Sequence, residues 1–332
     1  MRRRLAAALL TFLLWAPAHA ETIKIGLVKS AAGGAVYVAQ EKGFFAAAGV
    51  PAELIFFDSA QPVAVAAVSG DIDFGVTGIT AAFFSLAGQG ALKLISGANQ
   101  EMPGFQYLGY VISNQAYAAG LKDFPDLPGH SFGMTQAGTA LYYSLARAGD
   151  QYGFDFKTLR TVPLQSNSNV SSALAGGQID AAVLPVTPLM KLVLRKEARL
   201  LGWVSDVAPG MQANVVFTAR KIADERRDTV ERFLAAYKKG TKDFHDAFTG
   251  PDGKRHDGAA ADKTLAILAK YTGQSLQDVK LAVPYVDAEA RLDGADLLRQ
   301  IAWYKNQNLL KGEVDGDKII DRRYVVELPE RP

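Results

Sequence analysis

The sequence contains no cysteine and only four histidines among its 332 residues. The missing thiols exclude disulfide bonds, iron–sulfur clusters, thiolate nucleophiles and cysteine-based zinc sites. The 36 basic and 34 acidic residues nearly balance, at a formal charge of +2, so the basic excess typical of nucleic-acid-binding proteins is missing as well. We therefore predict no nucleic-acid partner.

Local catalytic motifs are also missing. The sequence has no G-x-S-x-G elbow, no phosphate-binding G-x-x-x-x-G-K-[ST] loop and no G-x-G-x-x-G fingerprint. Beyond the first twenty residues, His130, His245 and His256 lie far apart, and none has the i, i+4 spacing that places two metal ligands on one helical face. We predict a protein that is not an enzyme and that uses no metal and no cofactor.

The first twenty residues have the pattern of a secretory signal peptide. Arg2–Arg4 precede an apolar run from Leu5 to Trp15, and Ala18-His19-Ala20 forms an A-x-A-like cleavage site. A run of about 11 residues is shorter than the ~20 that a spanning helix needs. We expect cleavage near Ala20, a mature chain that begins near Glu21, and a soluble product in the periplasm.

Short apolar runs alternate with helical patterns through most of the remaining chain, which indicates βαβ units, a parallel sheet and the α/β class. Helices are predicted between the strands, the first over 35–48, and the chain is mostly helical and charged from Asp224 onward. The predicted strands are Thr22–Val28, Ala52–Phe57, Ile72–Val76, Leu92–Ser96, Ser131–Met134, Leu159–Pro163, Ile179–Leu184 and Arg199–Val204.

One segment has an internal echo. Val65–Gly78 (VAAVSGDIDFGVTG) and Ser172–Pro185 (SALAGGQIDAAVLP) both place a short apolar helix, a glycine stop and an acidic turn before an apolar strand. The echo favours two related α/β lobes, although the sequence pattern that all βα units share could produce it by coincidence.

Three predicted strand-to-helix turns combine small residues with hydroxyl groups: Lys29–Gly34, Thr77-Gly78 and Thr135–Thr139. In an open α/β sheet, ligands bind beyond the carboxyl ends of the strands. Helix N-termini at that edge offer free N–H groups and a positive dipole end, which suit an anion. Ordinary turn and capping chemistry is the alternative explanation for each turn.

Four segments carry a resemblance to a known family: YVAQEKGFFAAAGVPAELIFF, AVSGDIDFGVTG, LPGHSFGMTQAGT and ALAGGQIDAAVLP. They resemble the periplasmic binding proteins of nitrate/taurine/sulfonate-type ABC importers, a group whose fold is shared by the pyrimidine-precursor binding proteins. The resemblance implies a type II periplasmic binding protein, with two α/β lobes, a ligand cleft between them, and crossover strands near Leu108–Ser113 and Asn214–Ala219. Lobe 1 would comprise residues 21–112 and 218–332, and lobe 2 residues 113–217.

The same resemblance assigns ligand contacts in both lobes. No arginine lies in the assigned turns and Lys29 is the only nearby base, which argues against a doubly charged inorganic anion. Tyr37, Phe105, Tyr142 and Tyr143 lie near the turns and could contact an aromatic ligand or belong to the core. The assigned contacts are Ser30, Gly34, Ala35, Thr77, Gly78, Gln100, Thr135, Gly138, Thr139, Pro185 and Asn214.

The expected function is that of a monomeric periplasmic solute-binding protein. It would capture a small organic anion, a sulfonate or carboxylate that could be aromatic, and deliver it to an ABC permease in the inner membrane. Two alternatives stay open: a binding protein for a neutral pyrimidine-like heterocycle, and a periplasmic sensor module.

The signal-peptide hypothesis predicts the first residue of the exported protein. N-terminal sequencing of protein recovered from the periplasm should find Glu21 or a residue within one or two positions of it. Recovery of only the intact form, beginning at Met1, in a soluble cytosolic fraction would contradict the hypothesis.

Overall fold

The structure is a computed structural model that describes residues 21–329, so the predicted signal peptide lies outside the described residues. The strands within this range are β1 (Ile23–Val28), β2 (Ala52–Phe57), β3 (Phe74–Gly78), β4 (Leu92–Gly97), β5 (Asn99–Gln100), β6 (Leu108–Ser113), β7 (Ser131–Met134), β8 (Arg160–Pro163), β9 (Ala181–Pro185), β10 (Ala198–Trp203), β11 (Asn214–Ala219) and β12 (Tyr285–Val286).

The helices flank these strands and extend beyond the last long one. They are α1 (Gly34–Glu41), α2 (Phe44–Ala47), α3 (Ala60–Ser69), α4 (Ala81–Gly88), α5 (Asn114–Ala118), α6 (Ala140–Tyr152), α7 (Asn167–Ala175), α8 (Val186–Leu194), α9 (Val204–Val207), α10 (Arg220–Glu225), α11 (Arg227–Phe248), α12 (Ala261–Thr272), α13 (Leu276–Leu281), α14 (Gly294–Asn306) and α15 (Gly316–Ile319). None of the helices between residues 21 and 329 is both long and apolar enough to cross a membrane.

The strands form two five-stranded sheets, in the orders β2-β1-β3-β11-β4 and β10-β6-β9-β7-β8. We use lobe 1 for the part of the chain built on the first sheet, and lobe 2 for the part built on the second. The α/β class is confirmed, but the prediction of purely parallel sheets is wrong. β11 runs antiparallel to β3 and β4, and β6 runs antiparallel to β9 and β10, because these strands enter each sheet from the other lobe.

Strand membership places the crossovers a few residues earlier than predicted. The chain leaves the first sheet after β4, crosses in residues 98–107, and returns through residues 204–213. β6 pairs along its length within the second sheet and β11 within the first. We therefore propose lobe boundaries within these two crossing segments, in place of those predicted at 112 and 218.

The internal echo corresponds to equivalent structure in the two lobes. β3 follows α3 in lobe 1 as β9 follows α7 in lobe 2, and β3 lies parallel to β1 as β9 lies parallel to β7. The Asp73 carboxylate accepts a hydrogen bond from the Lys24 amide at 2.8 Å, and the Asp180 carboxylate accepts one from the Ser131 amide at 2.8 Å. Both pairs are 49 residues apart in sequence. The echo is therefore a repeated βαβ unit rather than a coincidence of sequence pattern.

One predicted helix is interrupted. The expected helix over 35–48 is divided into α1 and α2 at Gly43, whose φ of 69° lies in the left-handed region. Glycine adopts that region without the steric cost that a Cβ would add. The apolar pattern continues through the break, because Phe45 of α2 stacks on Phe233 of α11 and is buried beside α1.

The second crossing segment is organised around the fully buried Gln212. Its side-chain NH₂ donates to the carbonyls of Asn99 (3.1 Å) and Asn214 (2.7 Å). Its side-chain oxygen accepts from the Asp293 amide at 3.0 Å and from the Gln100 side chain at 3.3 Å. The side chain of Gln212 thus connects both crossing segments with the N-terminus of α14.

The backbone of Gln212 extends this connection. Its amide donates to the Asp296 carboxylate at 2.8 Å, and its carbonyl accepts from the Gln300 side chain at 3.0 Å. α14 is therefore fixed to the crossing segments while it packs between the lobes. Tyr304 contacts Phe84 of lobe 1 and Tyr143 of lobe 2, with ring centroids 5.7 and 6.5 Å apart. One apolar cluster consequently runs through both lobes on the α14 side.

Replacing Gln212 should lower the free energy of unfolding more than replacing an exposed glutamine does. Gln212→Ala leaves buried carbonyl and amide groups without partners, so we expect a loss of roughly 3 kcal/mol in the free energy of unfolding. The exposed Gln277, on the first turn of α13, provides the control, and Gln277→Ala should change stability by less than about 0.5 kcal/mol. Chemical denaturation measures both values, and equal effects of the two substitutions would refute the role of Gln212.

Candidate functional site

A cavity of about 130 Å³ lies between the carboxyl ends of the strands of the two sheets. Lobe 1 contributes the ends of β1, β2 and β3, and lobe 2 contributes the ends of β7, β8 and β9. We call this space the inner cavity. Its lining residues are Val28, Ser30, Ala32, Gly33, Asp58, Ser59, Ala60, Val76, Thr77, Gly78, Ile79, Thr80, Tyr107, Leu108, Thr135, Thr139, Ala140, Leu141, Asn167, Pro185, Ala213 and Asn214.

A larger space of about 530 Å³ adjoins it, which we call the outer chamber. The two spaces share Val28, Ser30, Tyr107, Asn167 and Pro185, so they form one continuous cleft. The outer chamber is bounded by the start of α7, by α8, and by the loop before α13. The residues that line only the outer chamber are Lys29, Ala31, Ser168, Ser171, Ser172, Ala175, Val186, Thr187, Pro188, Lys191, Leu192, Arg195, Glu197, Gln274 and Ala282.

Two side-chain polar atoms on the wall of the inner cavity have no hydrogen-bond partner among residues 21–329. They are Oγ1 of Thr139 and Oδ1 of Asn167, and both are shielded from solvent. A buried polar atom without a partner is costly, so such atoms in a cavity wall indicate where a ligand supplies the missing bond. Both belong to lobe 2, at the starts of α6 and α7.

Tyr107 and Asn214 form the polar end of the inner cavity near the crossing segments. The Asn214 side chain donates to the Tyr107 hydroxyl at 3.3 Å. Burial raises the pKa of Tyr107 to about 12, so this hydroxyl stays protonated at neutral pH and can donate to a ligand. The sequence does not suggest this pair, because the two residues are 107 positions apart.

A buried acid lies behind Tyr107. Glu101 is fully buried, and its carboxyl oxygens have no hydrogen-bond partner of good geometry among the described residues. Burial raises the pKa of Glu101 well above its usual range, the nearby Leu108 amide offsets part of that rise, and Asp206 adds to it. Burial therefore disfavours the charged form of Glu101, which reduces the negative charge that this residue contributes behind Tyr107.

The lobes contact each other directly through two helix N-termini beside the inner cavity. The Ala81 amide of α4 donates to the Gly138 carbonyl at 2.7 Å, and the Ala140 amide of α6 donates to the Ile79 carbonyl at 3.2 Å. Each helix thus donates a hydrogen bond from its first free N–H group to a carbonyl of the opposite lobe. The amides of Ala81 and Ala140 are therefore used in the contact between the lobes, and the expectation that the Gly138-Thr139 turn holds an anion stays a prediction.

The opposite side of the cleft is held by polar contacts. Lys191 of α8 pairs with Asp278 of α13 at 3.3 Å, and the Thr187 hydroxyl donates to the Gln274 side chain at 3.3 Å. A small apolar patch of Ala31, Val186 and Ala282 accompanies them. The contact on this side is much smaller than the apolar cluster on the α14 side.

Charge is distributed unequally between the two spaces. No lysine or arginine is among the described residues that line the inner cavity, and Asp58 is its one charged lining residue. The outer chamber is lined by Lys29, Lys191, Arg195 and Glu197. Lys29 is therefore not the only base near the cleft, since the fold adds two bases from α8 and the residue after it.

Seven of the eleven predicted contacts line the inner cavity, although their contact with a ligand is still a prediction: Ser30, Thr77, Gly78, Thr135, Thr139, Pro185 and Asn214. The structure places the other four, Gly34, Ala35, Gln100 and Gly138, outside it. Gly34 and Ala35 begin α1 and face α11, and a Cβ on Gly34 would lie 2.3 Å from the Phe244 ring. Gln100 pairs with Gln212 in the crossing segments.

The four aromatic candidates belong to the core. Tyr37 stacks on Tyr271 beneath the Ala31–Gly33 turn, with ring centroids 4.9 Å apart. Phe105 packs against Tyr285. Tyr142 and Tyr143 pack against Trp303 of α14, at 5.5 and 5.4 Å. None of the four lines the inner cavity or the outer chamber, so the aromatic ring in the cavity wall is Tyr107 instead.

Sequence reasoning missed Asp58, Asn167 and Tyr107. Asp58 and Asn167 lie where β2 and β8 lead into α3 and α7, so the strand-to-helix rule would have found them had it been applied to every strand. Tyr107 lies in a crossing segment, and no local pattern marks it. No group of three or more histidine or acidic side chains in residues 21–329 is arranged to hold a metal ion.

Two α/β lobes joined by two crossings, with a cavity between the strand ends, define the fold class of the periplasmic binding proteins. Solved structures agree. The aliphatic sulphonate binding protein SsuA from Escherichia coli is 18% identical, covers 94% of this chain and 95% of its own, and has a TM-score of 0.71. SsuA from Xanthomonas axonopodis pv. citri, bound to MOPS, is 17% identical, covers 92% of this chain and 98% of its own, and has a TM-score of 0.70.

The nitrate-binding protein NrtA from Synechocystis PCC 6803 is 15% identical, covers 91% of this chain and 85% of its own, and has a TM-score of 0.68. No curated protein matches the sequence significantly. The sequence model of the family described as NMT1/THI5 like matches residues 32–247, which is more than half of the chain. The chain therefore belongs to the NMT1/THI5-like family, and the predicted resemblance is confirmed.

Gly138 tests the direct contact between the lobes. A Cβ at Gly138 would lie 2.9 Å from the Ala81 Cβ, whereas Gly153 has a similar positive φ and nothing within 4 Å. Both Gly138→Ala and Gly153→Ala introduce the same backbone strain, but only the first should separate α4 from α6. We expect hydrogen exchange at the Ala81 and Ala140 amides to be at least tenfold faster in Gly138→Ala.

The control Gly153→Ala should leave exchange at these two amides unchanged. Adding Ala81→Gly to Gly138→Ala should restore part of the protection, because it removes the opposing methyl group. Equal exchange in the two single variants would show that the contact does not depend on Gly138.

Proposed function

We propose that this chain is the periplasmic substrate-binding protein of an ABC importer, and that it captures a small organic anion and delivers it to the permease. The observation that carries the proposal is the cavity between the lobes, whose wall includes Thr77 and Ser30 from lobe 1 and Thr139 and Asn167 from lobe 2. Family membership supports a binding role rather than catalysis.

The proposed mechanism is capture followed by closure. A ligand that bonds to both lobes favours the state in which they meet, by the difference between its free energies of binding to the closed and open states. On the lobe 2 side, the Thr139 hydroxyl can donate to a ligand and the Asn167 side-chain oxygen can accept from one, since neither has a partner among the described residues. Tyr107 and Asn214 supply donors near the crossings. The closed shape would then be the one that the permease recognises, and no bond in the ligand changes.

The class of ligand is supported by the structural neighbours, which include sulphonate-binding and nitrate-binding proteins. A second candidate, a neutral pyrimidine-like heterocycle, is favoured by the inner cavity itself. That cavity offers a tyrosine hydroxyl, an amide and threonine hydroxyls, but no lysine or arginine. The two candidates differ in whether the captured molecule carries a negative charge.

Native mass spectrometry of protein purified from the periplasm tests the proposal. We expect a fraction of the molecules to carry a small organic compound, released on denaturation, whose charge distinguishes the two candidates. Removing it should increase the radius of gyration measured by small-angle X-ray scattering. A protein that carries no compound, and whose shape responds to no periplasmic extract, would contradict the proposal.

Tyr107→Phe provides the matched variant. It removes one hydroxyl from the inner cavity, worth about 1 kcal/mol, so affinity for the copurified compound should fall roughly fivefold. Tyr117→Phe, on α5 outside both spaces, is the control and should bind as the unaltered protein does. Isothermal titration calorimetry measures both affinities.

A further inference from the structure

We propose that the outer chamber is an anion subsite, in which Lys29, Lys191 and Arg195 hold a carboxylate, sulfonate or phosphate group of a ligand whose neutral end occupies the inner cavity. This inference rests on the proposed function and deepens it, because it gives the ligand a direction in the cleft.

The volumes favour a ligand that extends through both spaces. The inner cavity measures about 130 Å³. Binding pockets for organic ligands usually measure roughly 300–1,000 Å³. The inner cavity reaches that range only together with the outer chamber of about 530 Å³, to which it is joined through Tyr107 and Asn167.

The charges orient such a ligand. An anionic group in the inner cavity would have no basic side chain beside it and would lie near the Asp58 carboxylate, an unfavourable arrangement in a partly dry space. In the outer chamber the same group would meet three bases and one acid, Glu197. The negative end of the ligand therefore points outward.

The bases in the chamber are available to a ligand. Lys191 forms an ion pair with Asp278, with 3.3 Å between Nζ and Oδ2. Lys29 and Arg195 form no ion pair with any residue of 21–329. The Lys29 ammonium lies 5.9 Å from the centroid of the Phe56 ring, which leaves its N–H groups free of acidic partners. Ser168 and Ser172 add hydroxyl groups to the same chamber, at the start of α7 and one turn further along.

Residues of both lobes form the subsite. Lys29 follows β1 of lobe 1, whereas Lys191 lies on α8 of lobe 2 and Arg195 directly after it. An anion held between them adds attraction across the side of the cleft where the lobes otherwise meet through one ion pair, one hydrogen bond and a small apolar patch. The anionic end of the ligand would therefore close this side.

Inorganic phosphate is the probe for the subsite. In a titration followed by ¹H–¹⁵N NMR, phosphate should shift the Ser168 and Lys191 amide signals and the Arg195 side-chain Nε signal of the unaltered protein, giving a measurable Kd. The double variant Lys29→Gln/Arg195→Gln should raise that Kd at least tenfold. The single variant Glu197→Gln should lower it several-fold, because it removes the acid that repels the anion.

The matched control is Lys24→Gln/Arg160→Gln, which removes one exposed base from each lobe outside both spaces and should leave the Kd unchanged. Circular dichroism and melting curves establish that each variant folds. Absence of phosphate-dependent shifts at these sites, or an equal Kd in the double variant and the control, would overturn the inference. A copurified neutral compound together with no phosphate binding would overturn the anion subsite while leaving the importer function intact.

Discussion

The structure depends on the hydrogen bonds of one buried amide side chain, that of Gln212. It lies in one crossing segment, bonds to the other at Asn99, and accepts the Asp293 amide at the N-terminus of α14. The chain connects the two lobes at two crossings, so whatever fixes the crossings helps to fix how the strand ends face each other. The inner cavity exists because those ends meet at this angle.

The two sides of the cleft are held by different forces, and this difference suggests how the lobes move. On the α14 side, Phe84, Tyr143 and Tyr304 share one apolar cluster, and its burial is stabilising in proportion to area. On the α8 side, the lobes meet through the Lys191–Asp278 pair, the Thr187–Gln274 hydrogen bond and a small apolar patch of three buried residues, on which Met190, Trp203 and Leu281 pack. An exposed ion pair contributes at most about 1 kcal/mol. Separation on the α8 side is therefore the less costly motion, and that side also carries the outer chamber.

The polarity of the cleft follows from how each lobe uses its helix N-termini. The first amides of α4 and α6 bond to the opposite lobe and stabilise the contact between the lobes. The polar groups that remain in the inner cavity are hydroxyl and amide groups, with no basic side chain among them. In the arrangement that we propose, the negative charge of the ligand would lie in the outer chamber, where Lys29 and Arg195 have no acidic partner within the described chain.

The sequence by itself determined the α/β class, the repeated βαβ unit and seven of the residues that line the inner cavity, because alternation of strands and helices is a local property and strand ends converge on one edge of a sheet. It also carried the resemblance that family membership confirms. Only the tertiary structure decided the antiparallel crossover strands, the bond between Tyr107 and Asn214, and the placement of Lys29 and Arg195 around one chamber. These features bring together residues that are far apart in the sequence, and no local pattern of side chains encodes such pairings.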